Sequence, residues 1–87
     1  MTTIWKYPLY GPVTDVEMPV GAEIIFCADQ AGIPSIWARV EDEGDPRTEV
    51  RTFVHVGTGH PVAEDLHYVG TAMTPQGFVW HVHERES

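Results

Sequence analysis

"AEIIFCADQAGIPSIWARVE", residues 22 to 41, decides what kind of fold this chain can make. Its first half alternates Ile24, Phe26 and Ala28 against Ile25 and Cys27, apolar on both faces. Its second half sets Ile36, Ala38 and Val40 on one side and Trp37, Arg39 and Glu41 on the other. A period of two, rich in β-branched and aromatic residues, is the pattern of strands. Between the halves, "DQAG" offers Asp29 and Gly32, residues suited to a hairpin turn. The stretch reads as two antiparallel strands joined by a tight turn.

The same period runs outward from it. "EVRTFVHVG" sets Val50, Thr52, Val54 and Val56 opposite Arg51, Phe53 and His55, and "GFVWHVHER" sets Phe78, Trp80 and Val82 opposite Val79, His81 and His83. "TIWKYPL", "TDVEMP" and "LHYVGTAM" read as further strands, with Gly and Pro punctuating the joints. Only "PVAEDLHYV" has the makings of a helical turn, starting at Pro61. The expectation is an all-β single domain over residues 1–87: a small antiparallel barrel or sandwich of about six to seven short strands. Trp37 and Phe53 stand opposite the aliphatic rows, which makes them candidates for a subunit interface or an apolar ligand wall.

At 87 residues the chain buries only ~60–65% of the surface of its unfolded form, so it needs support beyond its own core. The single cysteine, Cys27, allows no internal disulfide and fits a reducing compartment. A homo-oligomer is therefore expected. Thirteen acidic residues against 5 Lys+Arg give a net charge of −8. Five bases cannot neutralise a nucleic-acid footprint or favour an anionic membrane, so neither partner is expected. No apolar run approaches the ~20 residues of a membrane span, and "MTTIWKYPLY" lacks the layout of a signal peptide, so the expected location is cytoplasmic. The run "EDEGDPRTE" is a solvated loop, and its Glu41, Asp42, Glu43 and Asp45 form an acidic surface that suits a basic groove on another protein.

Catalytic patterns are sparse. Cys27 sits in an apolar strand as a small buried hydrophobe, the serines lack an elbow motif, and paired carboxylates occur only in the acidic loop. His81 and His83, two apart on a strand, leave the same face, and His55 from a neighbouring strand would complete three imidazoles for zinc. The more ordinary reading is a half-exposed outer face, and no metal or other cofactor is expected. "GTGHP", residues 57 to 61, can present backbone N–H groups to an anion. It lacks the third glycine, the following helix and the lysine of the nucleotide-binding loops. Its ordinary role is a turn in which Gly57 and Gly59 take positive φ and Pro61 fixes the exit. If the loop binds, Gly57, Thr58, Gly59 and His60 do so, with Lys6 or Arg51 nearby.

Together, "IWKYPL", "GAEII", "PSIWARV", "TFVHVGTGHPV", "YVGT" and "FVWHV" resemble an uncharacterised family of small proteins encoded by tailed phages and prophages, a domain of unknown function. The matched positions are Trp5 to Pro8, Trp37, Ala38, Gly57 to Pro61, Gly70, Thr71, Trp80 and His81; His55 and His83 fall outside them. The resemblance implies a phage origin, expression in the cytoplasm of a bacterial host cell, a single-domain accessory protein, and no assigned catalytic residues. The resulting expectation is a non-enzymatic binding protein that counters a bacterial defence. It would hold an anionic small molecule such as a nucleotide signal, or place its acidic surface in a basic groove of a host protein. The rivals are a metal-assisted hydrolase using His55, His60 and His81, and a self-associating structural phage protein.

Overall fold

The computed structural model describes residues 1–43 and 47–86. The strands run β1 (Thr2–Pro8), β2 (Val13–Pro19), β3 (Glu23–Gln30), β4 (Ile33–Glu41), β5 (Thr48–Gly57), β6 (Leu66–Met73) and β7 (Val79–Arg85). The β3–β4 hairpin falls where residues 22 to 41 placed it. Asp29 accepts the N–H of Gly32 at 3.1 Å through its carboxylate, while Ala31 (φ 54°) and Gly32 (φ 86°) take left-handed backbone at the tip. No helix occurs among the described residues; in the stretch after Pro61 a single turn forms at Glu64 and Asp65, with the Leu66 N–H donating to the Ala63 carbonyl at 3.2 Å. Pro61 has no N–H to donate, and the segment it opens runs only to β6 at Leu66.

Two antiparallel sheets form, ordered β1-β4-β3 and β2-β5-β7-β6. They face each other as a sandwich, and β3 runs beside β6 without the barrel closing. The Cα envelope is 42 × 28 × 17 Å, thin enough for one core layer between sheets ~10 Å apart. That layer holds Leu9, Val16, Met18, Ala22, Ile36, Ala38, Val40, Phe53 and Val82.

The position of Phe53 corrects an expectation. Its ring is 1% exposed and fills the core, so it is no outward aromatic and offers no interface surface. The valines opposite it face out, with Val50 63% exposed. Both faces of β5 are apolar, so periodicity could not choose between them. Pairing with β2 and β7 does: Phe53 lies opposite Thr14, on the same inward side as the buried Val16, Met18 and Val82.

Two bulges tune the seam between sheets. The β3–β4 register shifts between Ile24 and Phe26, which lets Ile24 and Cys27 both pack on the core while Phe26 turns outward, 59% exposed. The β6–β7 register shifts between Tyr68 and Gly70, leaving Val69 against the core. Gly70 then meets Cys27 so closely that a Cβ on it would lie 2.6 Å from the Cys27 Cβ. At the far end of the sandwich, Arg51 binds Glu84 through Nε and Nη2, both at 2.7 Å, and donates to the Ala22 carbonyl at 2.6 Å.

Candidate functional site

β5 ends at Gly57, and the chain turns at once. The His60 N–H donates to the Gly57 carbonyl at 3.1 Å, and Gly59 takes φ +88°, a conformation a side chain would strain. Gly57 itself keeps a strand conformation, unlike the paired positive φ expected of the two glycines. On its open side lie the Trp80 ring and the His60 imidazole, about where a Cβ would touch both. His60 thus stands between two clefts that share Gly57 and Thr58 as walls.

The first cleft, about 360 Å³, is bounded by His60, Gly77, Phe78 and Trp80. Three rings stack here: His55 on Trp80 at 4.7 Å and 18°, then Phe78 on Trp80 at 5.9 Å and 22°. Phe78, at the outer end, is 58% exposed. An open aromatic face beside a cleft is a platform for another flat ring.

The second cleft, about 240 Å³, lies on the outer face of the four-stranded sheet, under Val62 and beside Tyr68, His81 and His83. Its floor is a chain of polar groups. Thr58 Oγ1 is 2.8 Å from His81 Nε2, His81 Nδ1 is 3.2 Å from Thr71 Oγ1, and Thr71 Oγ1 is 2.6 Å from Tyr68 Oη. When Tyr68 donates to Thr71 and Thr71 to Nδ1, the His81 Nε2–H donates to Thr58. The Thr58 hydroxyl hydrogen is then left pointing away from the ring, free for an acceptor in the cleft. Beneath, His83 Nδ1 donates to the His81 carbonyl at 2.9 Å and the ring meets Tyr68 edge-on, leaving His83 7% exposed.

Strand register separates the histidines that a zinc site would have needed. His55 pairs with the buried Val82 and faces inward, whereas His81 pairs with Val56 and faces outward. No group of three metal-ligating side chains forms among the described residues. Burial lowers the His55 pKa below its ordinary value. Burial also pushes the Cys27 thiol up to about 11, far from a reactive thiolate at neutral pH.

Of the residues expected to bind, Gly57, Thr58, Gly59 and His60 come together, but Lys6 and Arg51 do not join them. Lys6 is opposite Trp37 on the outer face of the other sheet and bonds Gln30. Arg51 lies about six residues down β5 from Gly57, roughly 20 Å away, and is held by Glu84. Another groove, about 420 Å³, is lined by Arg51 and Glu84, so its guanidinium is already matched. Trp37 is half-buried on its outer face, tilted against Phe26 at 5.5 Å. Glu41, Asp42 and Glu43 gather round the Met1 amino group, while Asp45 lies outside the described residues. Sequence reading missed Tyr68, Thr71, Phe78 and Trp80 as site residues. Only the register of β6 on β7, shifted by the bulge, reveals that Thr71 meets His81.

The fold and the site define a small two-sheet β domain with a loop-centred pair of ligand-sized clefts. The chain belongs to the DUF7352 family, a domain of unknown function whose model matches residues 1–87. No curated protein and no solved structure matches it. No helix among the described residues is long and apolar enough to cross a membrane.

Proposed function

We propose that this protein is a non-enzymatic binding module that captures a nucleotide-type small molecule at the β5–β6 loop. The observation that carries the reading is the placement of Thr58 and His60 between two unlike clefts. One cleft offers the Phe78–Trp80 stack to a flat ring. The other offers the Thr58 hydroxyl, fixed by His81, to acceptor oxygens. A nucleotide carries both chemistries a few ångströms apart. With Lys6 and Arg51 remote, anion recognition falls to hydroxyl, imidazole and backbone donors, which suits a ligand of low charge. The resemblance of its sequence blocks to phage and prophage proteins would set this capture in the bacterial cytoplasm, where holding a nucleotide signal would blunt a host defence.

Thermal-shift measurements with AMP, GMP, cyclic AMP, cyclic GMP and inorganic phosphate test the reading. A hundredfold excess over Kd stabilises the fold by about 2.7 kcal/mol, an upward shift of roughly 10–20 °C for a domain this size. At least one nucleotide is expected to give such a shift in the wild type and not in His60→Ala. A full shift in a folded His60→Ala protein, or none with any nucleotide, contradicts it.

A further inference from the structure

The bulge in β6 does more than tune the seam. On a regular strand, residues three apart leave opposite faces. Here the register shift between Tyr68 and Gly70 puts Tyr68 opposite His83 and Thr71 opposite His81, so both side chains stand on the outer face. Tyr68 Oη then reaches Thr71 Oγ1 at 2.6 Å, and Thr71 reaches His81 Nδ1 at 3.2 Å. A neutral histidine carries one N–H, and the hydrogen bond at one ring nitrogen decides what the other presents. That bond often goes to a carboxylate or a backbone carbonyl, either of which only accepts. At His81 Nδ1 the partner is a hydroxyl, which can donate or accept. Among the described residues lining this cleft none is Asp, Glu, Lys or Arg, so no charge overrides the choice.

We infer that Tyr68, acting through Thr71, holds His81 as the Nε2–H tautomer and so turns the Thr58 hydroxyl into a donor for the bound ligand. Two orders fit the chain. In one, Tyr68 donates to Thr71, Thr71 to Nδ1, and Nε2–H to Thr58, whose own hydrogen faces the cleft. In the other every bond reverses, and Thr58 spends its hydrogen on Nε2 and offers the ligand only lone pairs. The terminal group breaks the tie. Conjugation draws the phenol oxygen's lone pair into the ring, so a phenol donates better and accepts worse than an aliphatic alcohol. The 2.6 Å bond to Thr71 is shorter than the usual ~2.7–2.8 Å of hydroxyl pairs, as a strong donor makes it. Tyr68 is 64% exposed, which leaves its remaining lone pair to water. It is thus a positioning residue, setting two groups away which half of a hydrogen bond Thr58 supplies. A fixed donor suits a phosphoryl oxygen; the reversed chain would suit an amine. The ligand's chemistry rests on the binding reading above, whereas the tautomer does not.

Imidazole nitrogen NMR, recorded at about pH 8 where an ordinary histidine is neutral, tests the tautomer without any ligand. In wild type, His81 is expected to carry its hydrogen on Nε2 and leave Nδ1 bare. Tyr68→Phe keeps a ring against His83 and removes the hydroxyl, which frees Thr71 to turn and accept. Both His81 nitrogens should then move toward averaged shifts. Thr71→Ser keeps its hydroxyl and should keep the wild-type signature. An Nδ1–H form in wild type, or an unchanged signature in a folded Tyr68→Phe protein, overturns the inference. AMP titrations test the consequence for the ligand. Affinity should fall about tenfold in Thr58→Val, the worth of one hydrogen bond to a charged group, and about twofold in Tyr68→Phe as the donor-ready fraction drops. Wild-type affinity in either folded variant overturns the donor role of Thr58. A wild type that shows the expected tautomer but binds no nucleotide upholds the role of Tyr68 and refutes the binding reading.

Discussion

His55 shows how one side chain's surroundings set a measurable property. It faces the core, stacks on Trp80, and leaves Nδ1 without a partner among the described residues. Burial lowers its pKa from 6.5, so the folded imidazole resists a proton that the unfolded chain accepts. In the window below about 6.5 the unfolded state therefore binds more protons, and stability falls as pH falls. His55→Phe keeps a ring on Trp80 and removes the titration. Its melting temperature should decline less than that of wild type as the pH is lowered through this window. Parallel declines would show that His55 is not the group responsible. At this scale the sequence was only partly legible. That His55 and His81 could not share a metal follows from strand register, which residue spacing does not carry. Phe53 was misplaced for the same reason, because a strand apolar on both faces gives its valine row and its phenylalanine equal claim to the core.

At the scale of elements, residues 22 to 41 supplied the hairpin but not its register, and all seven strands coincide closely with stretches of period two. The bulges were invisible, since alternation in β3 and β6 says nothing about where an extra residue is tolerated. They matter most where β3 meets β6. A methyl group at position 70 would be driven into the Cys27 Cβ at 2.6 Å, and both atoms belong to rigid strands. Gly70→Ala should therefore cost about 1–3 kcal/mol, or roughly 5–20 °C in Tm. Cys27→Ala should not rescue it, because the Cβ remains, whereas Cys27→Gly should recover part of the loss. A Gly70→Ala protein that melts with wild type would mean the two sheets do not approach as described. The same bulge carries Thr71 into line with His81, so the element that ties the seam also assembles the cleft floor.

For the molecule as a whole, the acidic run and the candidate site lie apart. Glu41 to Glu43 close the end of β4 near Met1, while the loop after β5 sits with the aromatic stack and the His81 chain. The period of two rightly pointed to a β domain and chain length to a small core, yet neither could say which surface binds, because that depends on three separated segments meeting: residues 57 to 60, 68 to 71 and 78 to 81. Amide and aromatic NMR mapping during titration with AMP, GMP and their cyclic forms tests this convergence most directly. Perturbations are expected at Thr58, Gly59, His60, Thr71, Phe78, Trp80 and His81 together, with Lys6, Arg51 and Glu41 to Glu43 unmoved. Shifts centred instead on Phe26 and Trp37 or on the acidic end of β4, or no shifts at all, would contradict a binding site at the β5–β6 loop.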